Sequence, residues 1–248
     1  MCQNLNCENY ATTYREVYQR RLLESHYTAL GESVLEAAQN TTKPSQLIEV
    51  WAMIGAQCAD HPTSQEIRNG GSAHSSLMGI PLKDMIKSIA LEAVCREWAG
   101  SPEEITQLLE RLYQTADIRE QQLIIRVLPL LKSQEHFVRV ATEAARTNIV
   151  PVFSALALDN PFPQEHFNEN QWNQMVLKAI FVGCDVRTIV GLHERHNSSL
   201  AETIFQYISE RHSAQRSVPR AVVELCEQAL SAASLLQLNA IKSALLQE

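Results

Sequence analysis

Residues 101–131 read SPEEITQLLERLYQTADIREQQLIIRVLPLL, and this stretch decides the fold class. Ser101, Pro102 and Glu104 have the order of a capped helix start. A serine hydroxyl can accept from the third helical N–H, proline suits the first helical position, and a carboxylate suits the positive end of the helix dipole. Ile105, Leu108, Leu109 and Leu112 follow at spacings of three and four, the period of one helix face. Asp117 and Glu120 then open a second helix, with Leu123, Ile124, Val127, Leu128 and Leu131 as its apolar stripe. Pro129 lies inside that stripe and must kink or end it.

The same period extends in both directions. Val17, Tyr18, Leu22, Leu30, Val34, Leu35 and Ala38 predict one long or broken helix over 11–39. Ser45 precedes a second, carrying Val50, Trp51 and Ile54. Leu82–Trp98 reads as a third, with Ile86, Ile89, Ala90, Ala93 and Val94 on one side. Ser133 is expected to open a helix bearing Phe137, Val140, Ala141 and Ala144. Asn148 is expected to cap the next, with Val152, Phe153 and Leu156. No stretch alternates as a strand does. The reading is therefore all-α: an irregular helical array, or a HEAT-like α-solenoid of antiparallel pairs, although no strict internal period is present. The expectation is one domain over 1–248.

Composition narrows the function. The chain has 248 residues and a net charge of −7. An acidic protein is poorly suited to a phosphate backbone, so no nucleic-acid partner is expected. Ordinary apolar content excludes wholesale disorder. The polar start has no apolar signal core, and no run approaches a membrane span, so a cytoplasmic protein is expected, not a transmembrane one. No basic amphipathic helix supports a membrane-surface adaptor. Six scattered cysteines without a CxxC pair read as free thiols of a reducing compartment. The Asn40 and Asn197 sequons then read as accidental.

Asp60–Pro81 is rich in glycine and serine and reads as a loop: first a surface connection or disorder, second a lid. It is not a phosphate loop, since no strand precedes it and no Gly-Lys-Ser/Thr follows. Nucleophile-elbow, zincin, dinucleotide, EF-hand and zinc-finger patterns are absent, and no cofactor is expected. His193, His196 and His212 raise the thought of a metal, but no third ligand stands at close spacing; a charged turn is the better reading and no metal is expected.

Residues 172–182 read WNQMVLKAIFV, apolar around nearly the whole wheel, which predicts a central buried helix. Asn173 then lies in apolar surface between Leu177 and Ile180 and needs partners. Gln174 and Lys178 sit one turn apart on its least apolar side. Two readings stay open, a polar network tying helices together and a ligand site. Partners for either stand at other helix ends: Arg146 and Asn148, Asp159 and Asn160 in the rigid Asp159–Pro163 turn, Arg195 and Asn197, Glu210, Arg211 and Arg216.

The order of these pieces resembles the EboA family, named for the eustigmatophyte–bacterial operon. The resemblance rests on Ala145–Asn148, Val152-Phe153, Asp159–Pro163, Phe167, Trp172–Ala179, Gly191-Leu192, Glu194-Arg195, Asn197, Leu200-Ala201 and Glu210-Arg211. It covers 145–216; residues 1–100 carry no matching motif. The chain departs from the family pattern at His193, His196 and His212, where the family has Asp, Ala and Trp. The resemblance implies a member of a gene cluster for secondary-metabolite production or export. Its partners would be products resembling a prenyltransferase, TIM-barrel proteins, a sugar-phosphate cyclase and a phosphatase.

The first functional expectation is a metabolite-binding or scaffold protein whose polar pocket holds an anionic small molecule. Its residues would be Arg146, Asn148, Asp159, Asn160, Trp172, Asn173, Gln174, Lys178, Arg195, Asn197, Glu210 and Arg211. Cationic members suit a phosphate or carboxylate. The alternative is an enzyme on a phosphorylated or prenylated metabolite, with Glu210 as acid or base and Lys178 as charge stabiliser.

Overall fold

A computed structural model of the chain describes residues 6–23, 28–40, 46, 49–51, 54, 81–98 and 100–245. Among them every regular element is helical and none is a strand. The chain divides into two compact units, Met1–His166 and Phe167–Glu248.

In the first unit, α1 (Cys7–Leu23) and α2 (Thr28–Gln39) divide the stretch expected to be helical over 11–39. Their faces approach closely at Gly31, where a Cβ would stand 2.7 Å from Leu22 Cδ2 and would have to displace the end of that side chain. Tyr10, Tyr14, Val17, Tyr18 and Leu22 form the buried stripe of α1. Helix α3 (Leu82–Glu97) packs against both. Ser45 and nearly all of the Asp60–Pro81 loop lie outside the described residues, while Val50, Trp51 and Ile54 are buried.

The helix buried around its circumference is α3, not the 172–182 segment. From Asp84 to Cys95 every residue is buried, polar ones included, and each charge is answered. Asp84 accepts from Arg119 Nε at 3.1 Å. Lys87 donates to Glu120 at 2.7 Å and lies 4.7 Å from the Trp51 ring centroid. Trp51 donates to the same carboxylate oxygen at 2.8 Å. Burial works against the Glu120 carboxylate, but the Lys87 and Trp51 bonds hold it below its ordinary range.

The next two helices start as the sequence dictates. Ser101 and Glu104 close a capping box on α4 (Pro102–Thr115). Asp117 accepts from Glu120 N to start α5 (Ile118–Val127). Pro129 ends α5 in a 3-10 turn, Leu128–Leu130. The two following expectations of capping fail. Ser133 adopts φ 56 and bonds no N–H with its side chain; a 3-10 turn, Gln134–Phe137, precedes α6 (Val138–Arg146). Asn148 does not cap α7 (Val150–Ala157); Ile149 holds that position and donates to Thr147 Oγ1 at 3.2 Å. Short α8 (Phe162–His166) closes the unit against α7. Helix α1 also packs on the 128–130 turn, a contact between distant parts of the chain that a stack of sequential pairs would not make.

The second unit holds α9 (Glu169–Phe181), α10 (Ser198–Ser213), α11 (Arg220–Glu227) and α12 (Ala232–Leu245). Asn168 and Gln171 form a capping box on α9. The helix is two-sided: Trp172, Met175, Val176, Ala179 and Ile180 are buried, while Phe181 is 62% exposed. Its end follows glycine chemistry. Gly183 takes φ 78, Cys184 N donates to Ala179 O and Gly183 N to Ile180 O, the two bonds of a Schellman motif. Helix α10 packs on α11 and α12. No described helix is long and apolar enough to cross a membrane.

Candidate functional site

In the first unit α1, α3, the 129–135 segment and α8 surround an open pocket of about 590 Å³. Its charge is split. Glu92, buried on α3, accepts from Arg15 Nη2 at 3.1 Å and from Arg96 Nη1 at 3.1 and 3.3 Å. One carboxylate thus holds two guanidinium groups side by side. Both remain about two-fifths exposed, against 5% for Glu92. Arg15 Nε is buried and has no hydrogen-bond partner among the described residues. Lys132 adds a third cation to the lining, and Ala11, Pro129, Leu130 and Leu131 add an apolar part.

The other side of the pocket carries a carboxylate, a thiol and an imidazole. Glu165 on α8 accepts the Cys7 N–H that opens α1, at 2.5 Å. It therefore caps a helix 158 residues away in sequence. Burial and the adjacent Glu165 carboxylate push the Cys7 thiol well above its ordinary range, so it stays protonated. The His166 ring lies tilted against Phe162, centroids 4.6 Å apart, with Nε2 2.8 Å from Gln134 Oε1. Gln134 Nε2 already donates to Pro129 O at 2.9 Å, so its oxygen is left to accept. That assigns the proton to His166 Nε2 and the lone pair to Nδ1. Burial holds the imidazole below its ordinary value, with Glu165 and Glu135 opposing.

The second unit has a different polar cluster. Asn197 caps α10 by accepting from Leu200 N at 2.9 Å. Its amide and that of Asn173 bond each other reciprocally, at 2.9 and 3.3 Å. Asn197 also donates to Arg195 O at 3.3 Å. The Arg195 guanidinium lies over the Trp172 ring, 4.7 Å from its centroid. Trp172 is fully buried, and its Nε1 has no hydrogen-bond partner among the described residues. Trp172, Asn173, Arg195 and Asn197 are therefore one connected group.

The remaining expected residues have separate settings. Gln174 is exposed and donates to Asn170 at 3.3 Å. Lys178 is half-buried, and burial lowers its pKa. Arg211 donates to Ser217 O with two nitrogens, at 3.2 and 2.9 Å. Glu210 is exposed on α10. In the first unit Arg146 and Asn148 are exposed, and Asp159 turns the chain at φ 53. Asn160 is buried with its amide fully used: it donates to Ile125 O at 3.3 Å and Ala155 O at 3.0 Å, and accepts from Phe162 N at 3.0 Å. None of the twelve lines the 590 Å³ pocket.

The pocket residues Cys7, Arg15, Glu92, Arg96, Glu165 and His166 escaped sequence reading. Only one signal was local. Asp84, Ser88, Glu92 and Arg96 recur every four residues on α3, a polar stripe down one face of the helix. The other partners come from α1 and α8, too far away in the chain for spacing to reveal.

A family model described as "Metabolite traffic protein EboA" matches residues 91–227, more than half of the chain. The matched span reaches back beyond the 145–216 motifs to α3. It contains Glu92, Arg96, Glu165 and His166, while Cys7 and Arg15 precede it. No curated protein and no solved structure matches the chain.

Proposed function

The chain belongs to the EboA family, and on that premise we propose that it is a metabolite carrier that binds an anionic small molecule in the pocket of the first unit. One observation carries the reading: Arg15 and Arg96 converge on the single buried carboxylate of Glu92. Two guanidinium groups offer ten N–H donors, more than Glu92 and the Glu97 carboxylate that takes Arg96 Nε at 3.0 Å can accept. The surplus, including the buried Nε–H of Arg15, suits a phosphate or carboxylate held by charge-assisted bonds. The apolar stretch from Pro129 to Leu131 suits a hydrocarbon part of the same molecule. Glu210 and Lys178, the residues of the catalytic alternative, line no part of this pocket. Binding for transfer to a neighbouring enzyme of the cluster is the role that follows.

Thermal unfolding tests this with phosphate, pyrophosphate and a prenyl diphosphate as probes. A ligand at 100 times its Kd stabilises by about 2.7 kcal/mol, which raises the Tm by about 5–10 °C in a chain of this length. The account expects such a rise with at least one probe, and its loss in Arg15→Met, where Arg96 still pairs Glu92. An undiminished rise in Arg15→Met contradicts the site.

A further inference from the structure

We propose that Cys7, Glu165 and His166 form a binding site for a divalent transition metal, of which zinc fits best. One ligand atom from each residue, the Cys7 sulfur, a Glu165 oxygen and a His166 ring nitrogen, lies within 4.8 Å of the other two. In a tetrahedral zinc site the bonds are about 2.0–2.3 Å, so ligand atoms stand about 3.3–3.8 Å apart. Side-chain rotations of about an ångström close that gap.

The donor set selects the metal class. Thiolate and imidazole disfavour calcium and magnesium, which take oxygen ligands, and favour zinc or its softer neighbours. Three protein ligands leave a fourth position, as in zinc sites that exchange water for a bound molecule. All three residues line the 590 Å³ pocket, so that position faces the space in which Arg15 and Arg96 also stand. Gln134 supplies the outer support by orienting the His166 ring.

Binding exchanges one ion for another. The Cys7 thiol proton leaves to the solvent as the sulfur–metal bond forms, and the thiolate takes the electron pair. In the metal-free state that proton separates the sulfur from the Glu165 carboxylate. In the bound state the cation takes over that role. The inference stands apart from the anionic-metabolite reading, because the metal alone is its probe.

The test is titration of chelator-treated full-length protein with Zn²⁺ by calorimetry and with Co²⁺ by absorption. One ion should bind per chain, with a thiolate-to-cobalt charge-transfer band in the near ultraviolet. Cys7→Ser should abolish the band. His166→Gln should weaken binding at least about tenfold. Glu165→Gln keeps an acceptor for the Cys7 N–H, so it should fold normally yet bind metal more weakly. Replacing His193, His196 and His212 together should change nothing. The proposal is overturned by wild-type protein that binds no stoichiometric metal, by a band that survives Cys7→Ser, or by loss only in the triple histidine variant.

Discussion

The two units treat polar side chains differently. In the second, the amides of Asn173 and Asn197 bond each other and the start of α10, and Arg195 lies on Trp172. These groups organise helix ends. In the first, Glu92 gathers two arginines beside a pocket whose opposite wall carries a thiol, a carboxylate and an imidazole. There bonding capacity is left over. The second unit thus turns its polar groups to capping and helix pairing, while the first gathers charged and metal-ligating groups around one pocket.

Substitutions can sharpen or break this contrast. The largest effect is expected for Trp172→Ala, which removes a fully buried ring from the second unit and should cost about 3–5 kcal/mol. Denaturant unfolding checks it, and an effect below about 1 kcal/mol would remove Trp172 from the core of that unit. Asn160→Ala is its counterpart in the first unit. It strips three buried bonds and leaves the buried Ala155 carbonyl and Phe162 N–H without their amide partner, while Ile125 O keeps the Leu128 N–H; the expected loss is about 3 kcal/mol by the same measurement. If Asn160→Ala instead left stability intact and removed ligand binding, the amide would belong to a site and not to the fold.

The smallest effect is a pH dependence. Burial holds His166 below its ordinary value, and burial together with nearby His193 does the same for His196. In the unfolded chain both rings titrate near about 6.5. Between that pH and the lower folded values the unfolded chain binds more protons, so stability falls as pH drops through the window. NMR titration should place both rings below the free-histidine value. Replacing His166 by Gln should flatten part of the acid-side loss of stability. An ordinary or raised value for His166 would contradict its half-buried place in the pocket wall.

Local signals in the sequence were read well, and long-range ones were not. Ser101, Asp117, Pro129 and Asn197 act on residues within four positions, and each has the role its chemistry predicts. That Asn173 needs a partner follows from an amide in a largely apolar helix; which of the polar helix ends supplies it, Asn197, does not follow from spacing. Ser133 and Asn148 fail for a shared reason: both are residues that also suit turns, and the turn won. Helix α3 was read as one-sided because partners for its charges come from α1 and α5, which spacing does not reveal. The Cys7–Glu165 contact joins positions 158 residues apart and has no local signature.

The most direct test of the carrier account is native mass spectrometry of the full chain purified from its own cells, intact and then denatured, beside Arg15→Met. The account predicts a reproducible non-covalent mass on the wild-type chain that disappears on denaturation and is absent from Arg15→Met. A clean apo mass in both proteins, or the same adduct retained by Arg15→Met, would contradict it.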